Sequence, residues 1–430
     1  MPSPSAPLRP CASAFASPPD GACVVGVGST ESFRVRLNGC QALWVGLVGM
    51  CGTLPWGGAA AEPPPLITND VPPPLVIVAP QPIRPPVLPG PTNPEPVLNA
   101  GTVFPPWPTN ALLGNWVPIP EWASQFSLPS PRRVAESPQP AYEVQGPGGR
   151  AIVRMGSNRA TVRGVDVMLT HLPQFTGGEP ALHRLDLQKT FHPLLWPVEA
   201  TLSGLTNRVI VLDPGHGGKD VGTATSDGHH FEKNLTLDWA ARLKPLLERQ
   251  GFQVILTRTN DTEISLAGRV LVAEENGAGL FVSLHFNSAH PVNGRKGLET
   301  YTLTPPGMPS TVVRDGEDNV RLAFPNNAHD PANLQLAWHI QKATVETTRT
   351  VDHGVQRARF LGVLRGQNRP AVLVEGGYLS NPEESRRICD SAYRQKLAEG
   401  VASGIRELVR ASMARLERDS PRASTLTSNP

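Results

Sequence analysis

The residues of this 430-residue chain best placed to do chemistry are two histidines and two glutamates beside apolar runs. His216 lies in "VIVLDPGHGGKD", where a strand-like run stops at Asp213-Pro214 and one imidazole follows between glycines. His285 ends "FVSLH" and Glu375 ends "AVLVE". Glu232, in "HHFEKNLTL", opens a helical pattern on the same side as the loop that carries His216. An uncrowded backbone around one imidazole suits a metal or phosphate ligand, and equally an ordinary tight turn, so the partners downstream decide. Two imidazoles and one carboxylate are a common catalytic zinc set, with a fourth position open to water. The gaps of 16, 53 and 90 residues between successive members fit side chains delivered by different strands rather than by one local motif.

The elements that must position them alternate. "RVIVL", "FQVILTR", "GLFVSLHFNS", "GLETYTL" and "PAVLVEGGYLS" read as strands. "NLTLDWAARLKPLLERQ" places Leu235, Trp239, Leu243 and Leu246 on one helical face and stops at Gly251, with a kink expected at Pro245. "SLAGRVLVAEENG", "NLQLAWHIQKATVETTRT" and a closing segment from Ser391 to about Arg410 read as further helices. The pattern predicts an α/β catalytic domain over 206–412, a mostly parallel or mixed sheet flanked by helices with its site at the carboxyl ends of strands. A small α+β domain is expected over 116–197, where alternating residues with Gly turns suggest hairpins and "LHRLDLQKTFHPLL" has helical spacing. Its pattern is similar to the stalk domain at the N-terminus of copper amine oxidases. His171, His183 and His192 within it read as surface or packing residues.

The remainder bounds the setting. Seventeen prolines between Glu62 and Pro108 predict an extended spacer over 62–110. Before it, Arg34 and Arg36, an apolar stretch from Ala42 to Trp56 and Ala59-Ala60-Ala61 match a secretory signal within 1–61, with the true start expected nearer Val35. The stretch is short and Gly-rich for a bilayer span, so no transmembrane segment is expected in the mature chain. Met50 before Cys51 disfavours a lipoprotein signal. Cys11, Cys23, Cys40 and Cys51 fall in or before the signal, leaving Cys389 alone, so neither a disulfide nor a cysteine metal cluster is available. A net charge of +2 argues against nucleic acid as a partner. Residues 413–430 are expected to be disordered.

The ordered series "DPGHGG", "EKNLTL", "TRTND", "SLHFNS", "GLETYTL" and "VEGGYLSNPEE", from about Val209 to Arg406, resembles the zinc-dependent N-acetylmuramoyl-L-alanine amidases of the Amidase_3 family. The resemblance implies His216, Glu232 and His285 as ligands to one Zn²⁺ and Glu375 as the catalytic carboxylate. It implies hydrolysis of the amide between N-acetylmuramic acid and the L-alanine of peptidoglycan stems, by an exported protein of the periplasm or cell envelope. An envelope activator is compatible with it. Two other readings share these residues: an inactive peptidoglycan-binding module, and a zinc peptidase acting on free peptides. Asn287, two residues beyond His285, reads either as a substrate contact or as a turn residue. Asp213 reads either as an acceptor orienting His216 or as the cap of the turn at Pro214. His353 stands where the family carries arginine, with Arg357 or Arg359 as possible substitutes. His229 and His230 are spare imidazoles beside Glu232, and His290, His329 and His339 read as surface or packing residues. The polar insertion from Leu303 to Asn333 lacks an amphipathic helix and is expected to be a substrate-shaping loop.

Overall fold

A computed structural model describes residues 114–136, 139–196, 208–289, 294–314, 316 and 318–419. The expected signal segment, the spacer over 62–110 and residues 420–430 lie outside the described residues, as do the four cysteines before Cys389.

The chain enters through β1 (Trp116–Pro118), α1 (Ile119–Gln125) and β2 (Arg132–Ala135). An antiparallel meander follows: β3 (Ala141–Gly146), β4 (Gly149–Arg154), β5 (Arg159–Val162) and β6 (Val165–Met168). Then come β7 (Gln174–Thr176), β8 (Glu179–His183), α2 (Arg184–Asp186), a π-helical turn over Leu187–Phe191 and α3 (His192–Leu195). The alternating part is β9 (Val209–Pro214), α4 (Glu232–Glu248), β10 (Gln253–Leu256), α5 (Leu266–Glu275), β11 (Leu280–Asn287) and β12 (Leu298–Leu303). It finishes with α6 (Asp330–Thr348), β13 (Asp352–Ala358), α7 (Gly362–Arg365), β14 (Ala371–Tyr378), α8 (Pro382–Cys389) and α9 (Ser391–Asp419).

The strands of the sheet run in the order β10-β9-β11-β14-β12-β13, parallel throughout except where β12 meets β14 antiparallel. Its central strands are apolar on both faces because helices cover both. Ile210, Leu212, Val282 and Leu284 face a core with Trp239 and Leu243 of α4, Leu336 of α6 and Leu397 and Val401 of α9. Val209, Val211, Phe281 and Leu373 face the other side, with Ala273 of α5 and Val363 and Leu364 of α7. The strands end in register, so that His285 lies opposite Glu375 and Ser283 opposite Asp213. That alignment brings separate polar ends to one sheet edge.

The sheet does not stop at β13. Val355 of β13 pairs in parallel with Val167 of β6, so β6 to β2 extend it to eleven strands among the described residues. Trp338 Nε1 donates to Val162 O at 2.9 Å, Gln335 Nε2 donates to Pro193 O at 2.8 Å, and the Arg163 guanidinium lies 4.1 Å above the Trp338 ring. Gly354 has φ +80°, and a Cβ there would stand 2.5 Å from Asp166 O, so only glycine lets the two segments meet this closely. The hairpins expected from the sequence are therefore laid against the edge of the α/β sheet. The closing helix reaches Asp419, beyond Arg410 and into the tail expected from 413. "ASMARLERD" consists largely of strong helix formers and no proline occurs before Pro421. Pro245 lies inside α4, three residues before its end, and the helix continues past it. No helix among the described residues is long and apolar enough to cross a membrane.

His339, on α6, is 7 % exposed, and burial pushes its imidazole down to about 3, with the Arg163 and Lys342 cations acting the same way. Burial pushes His192 down to about 4. Both stay neutral in the folded chain while the unfolded chain takes up protons below about pH 6.5. Their contribution is complete above that pH and is lost as pH falls, by up to about 1.4 kcal/mol per pH unit each. In urea unfolding across pH 7 to 4, His339→Gln is expected to lose stability less steeply than the wild type. An identical slope would contradict this.

Candidate functional site

The loop after β9 is shaped by close approach. His216 has φ +63°, an uncommon conformation for a residue with a side chain, costing on the order of 1–3 kcal/mol. A Cβ on Gly215 would lie 2.3 Å from His285 Cε1, and one on Gly222 would lie 2.6 Å from Glu232 Oε2. The glycines are thus required by the histidine and glutamate that crowd against them.

What offsets the strain is a pair of buried arginines. Arg258 Nε donates to Pro214 O at 2.9 Å, and its Nη2 donates to Gly215 O at 2.7 Å and Lys233 O at 2.8 Å. Arg269, on α5, donates to Pro214 O at 2.9 Å and to His216 O at 2.8 Å. Burial, and then the Arg269 charge, lower the proton affinity of Arg258. Asp261 completes the clasp by accepting from Gly218 N at 2.8 Å and from Lys233 Nζ at 2.6 Å. The segments "EKN" and "TRTND" therefore hold the loop that presents His216.

His216, Glu232 and His285 come together, with one donor atom from each lying within 4.8 Å of the others. Glu232, the first residue of α4, is 3 % exposed and lies between the imidazoles. Its Oε2 is 3.1 Å from His216 Nε2 and its Oε1 is 2.9 Å from His285 Nδ1. Phe286 N donates to Oε1 at 3.0 Å and Thr223 N to Oε2 at 3.0 Å. Burial opposes its ionisation, but the hydrogen bonds and charges of the two histidines hold it well below the usual carboxylate range. Burial likewise opposes charge on His216, and Glu232 followed by Asp220 outweighs it, so its proton affinity is raised. Two imidazoles around one ionised carboxylate, with a second carboxylate behind one imidazole, are a donor set that a divalent cation fits.

That second carboxylate is not Asp213. Asp213 accepts from Thr257 Oγ1 at 2.6 Å, Arg269 Nη1 at 2.6 Å and Ser283 Oγ at 2.7 Å, and so ties β9 to its neighbours instead of orienting His216. The orienting acceptor is Asp220, whose oxygens lie 2.9 Å from His216 Nδ1. Its position four residues after His216, across two glycines, was the available signal.

Glu375, at the end of β14, is 8 % exposed, and its Oε2 has no hydrogen-bond partner among the described residues. Burial, then the nearby Glu232 and Glu299 carboxylates, raise its proton affinity well above the ordinary value. Glu299, which sequence reasoning did not single out, is fully buried and accepts from Tyr301 Oη at 2.6 Å, Tyr378 Oη at 2.8 Å and Asn287 Nδ2 at 3.2 Å. Asn287 and Glu375 line one cleft, as do Val312 and Arg314 from the Leu303–Asn333 insertion. The described part of the insertion is largely irregular up to Phe324 and ends in a 3₁₀ stretch over Pro325–His329 and the start of α6.

Neither arginine proposed to stand in for the family residue at His353 reaches the cluster. Arg357 donates to Thr190 Oγ1 and Lys189 O, both at 2.6 Å, while Arg359 pairs with Asp318 and donates to Met308 O at 2.8 Å. His353 Nε2 meets Lys296 O at 2.5 Å. His229 and His230 are exposed, and His290 lies outside the described residues. Burial lowers the proton affinity of His329, as it does that of His339. His171 and His183 stack at 3.5 Å beside Asp186. Asp186 is engaged by Thr170 N, Thr170 Oγ1, His171 N and His171 Nδ1, all within 3.2 Å, so this group ties the turn before β7 to α2.

The Amidase_3 family, N-acetylmuramoyl-L-alanine amidase, matches residues 210–407. AmiA, an N-acetylmuramoyl-L-alanine amidase of Escherichia coli (strain K12), is 30% identical over 54% of this chain and 85% of its own length. CwlM, an N-acetylmuramoyl-L-alanine amidase of Bacillus licheniformis, is 34% identical over 46% of this chain and 66% of its own length. The crystal structure of N-acetylmuramoyl-L-alanine amidase from Clostridium difficile 630 is 32% identical, covering 48% of this chain and 99% of that chain at a TM-score of 0.40. The chain belongs to the Amidase_3 family.

Removing the arginine clasp tests this account of the loop. Arg258→Ala removes charged donors from Pro214 O, Gly215 O and Lys233 O, which among the described residues keep only Arg269 and Thr236 Oγ1 as side-chain donors. A hydrogen bond to a charged group contributes about 1.5–3 kcal/mol, so a stability loss of about 2 kcal/mol is expected from the urea midpoint. Arg258→Lys, which lacks the fork, is expected to recover only part of it. An unshifted midpoint in Arg258→Ala would show that the loop holds itself.

Proposed function

We propose that the chain is a zinc-dependent N-acetylmuramoyl-L-alanine amidase, hydrolysing the amide between the lactyl group of N-acetylmuramic acid and the L-alanine of peptidoglycan stems. The observation that carries the reading is the shared Glu232 carboxylate between His216 and His285, with buried Glu375 on the neighbouring strand in register with His285. His216, Glu232 and His285 would hold one Zn²⁺. When bound, such an ion would supply polarisation of the scissile carbonyl, acidification of a water to a pKa of about 7, and positive charge beside the buried carboxylates.

The chain's own residues do the rest. Asp220 accepts from His216 Nδ1 and so turns Nε2 towards the cluster. Glu375 takes the proton from the attacking water and passes it to the departing amine of L-alanine, a transfer that suits a buried carboxyl with raised proton affinity. Asn287, fixed by its hydrogen bond to Glu299, offers its amide to substrate in the cleft. No serine or cysteine nucleophile is called on, and Cys389 lies on α8, where burial raises its thiol proton affinity. We infer further that the export signal read at the N-terminus delivers the enzyme to the envelope, with the spacer and the 116–197 segment placing it on the wall.

The test is incubation of the zinc-loaded full chain with peptidoglycan, with and without a chelator, and mass spectrometry of the released ends. Chelator-sensitive release of stem peptides with a free L-alanine amino terminus is expected, and free stem peptides lacking muramic acid should not be cut. Glu375→Gln is expected to bind zinc like the wild type and to lose turnover by at least about 100-fold. Near-normal rates in that variant would remove Glu375 from the mechanism.

A further inference from the structure

Beside the His216–Glu232–His285 cluster lies a cleft of ≈ 190 Å³, about the volume of six waters and so room for roughly one residue of a peptide. Glu375, Tyr378 and Asn287 line it, and two cationic side chains, Arg295 and Arg314, line it too. Each lies over an aromatic ring of the same cleft. The Arg295 guanidinium carbon is 5.6 Å from the Tyr378 ring centroid, and that of Arg314 is 4.6 Å from the Phe360 centroid. A cation–π contact restrains a guanidinium while leaving its N–H groups free to donate, and the planar N–H fork of arginine matches a carboxylate.

A simpler role would be to neutralise the carboxylates beneath. Arg295 does donate from Nη2 to Glu299 Oε1 at 3.2 Å. Yet Glu299 is already served by two tyrosine hydroxyls and the Asn287 amide, and one contact uses one of the five N–H groups of Arg295. Its side chain is 49% exposed, and Arg314 is exposed on the insertion loop. Both cations therefore remain accessible to a ligand.

We propose that Arg295 and Arg314 form a subsite for a carboxylate on the peptide side of the scissile amide. The enzyme then prefers stems in which the residue after L-alanine carries a free carboxylate over stems in which that group is amidated. This rests on the amidase reading above, since the same cleft holds Glu375. It also gives the insertion a task, because Arg314 stands on it. A charge-assisted pair exchanged for a neutral amide predicts a selectivity of roughly 10- to 100-fold.

The test uses two N-acetylmuramoyl-L-alanyl dipeptides differing only in a carboxylate or a carboxamide on the second residue. Two ratios are read: kcat/KM on the zinc-loaded full chain, and Kd by calorimetry on the metal-free chain. Both ratios are expected to favour the carboxylate by at least tenfold. They should shrink in Arg314→Ala and in Arg295→Gln, and approach one in the double variant. Arg314→Ala serves as the folding-neutral case, because its side chain is exposed on a loop, with the thermal midpoint as the check. Equal handling of the two dipeptides by the wild type, or ratios unchanged in both variants, would overturn the subsite. Were neither dipeptide cleaved, the amidase reading would fall, and the metal-free Kd ratio alone would decide for or against the subsite.

Discussion

Everything at this site depends on one buried carboxylate shared by three parts of the chain. Glu232 opens α4, yet its oxygens are held by the imidazoles of His216 and His285 and by the backbone N–H groups of Thr223 and Phe286. An ionised carboxylate at 3 % exposure is costly unless each lone pair is engaged. The two strand ends must therefore come to it. The close packing at Gly215 and Gly222, the left-handed backbone at His216 and the Arg258–Arg269 clasp all follow from that requirement. A cation between the same groups would take over the role the shared protons play without it.

Charge is layered outward from this centre. Glu375 is buried next to two other carboxylates, and burial first, then those charges, raise its proton affinity. Glu299 is stabilised by hydroxyls and an amide, so it can stay buried while fixing Asn287, Tyr301 and Tyr378. Arg295 and Arg314 stand farthest out, exposed to water.

The strands and helices were legible from the length of their apolar runs and from the residues that punctuate them. β9, β11 and β14 are short apolar runs that reach a polar residue near their ends, Asp213, His285 and Glu375, and α4 buries Leu235, Trp239, Leu243 and Leu247 along one side. The grouping of His216, Glu232 and His285 was legible from residue type and from the family's motif order. Asp220 and Glu299 were not, because their roles depend on contacts across the fold and not on spacing. Asp213 misled for the same reason: adjacent in sequence to the histidine loop, it points along the sheet to Ser283 and Thr257. The joining of β6 to β13 was hidden as well, since it needs Gly354 and Trp338 to meet residues far upstream. "VEGGYLSNPEE" shows how a motif can mix duties. Glu375 belongs to the site, while Asn381 caps α8 and Glu384 accepts from Gly297 N and Tyr378 N.

The most direct test of the central claim is the metal content of the purified full chain beside that of Glu232→Gln, after zinc loading and removal of loosely held ion. If Glu232 is the shared ligand, the wild type retains one zinc per chain and the variant retains almost none while staying folded. A folded variant that still held one zinc would place the metal elsewhere and contradict the account.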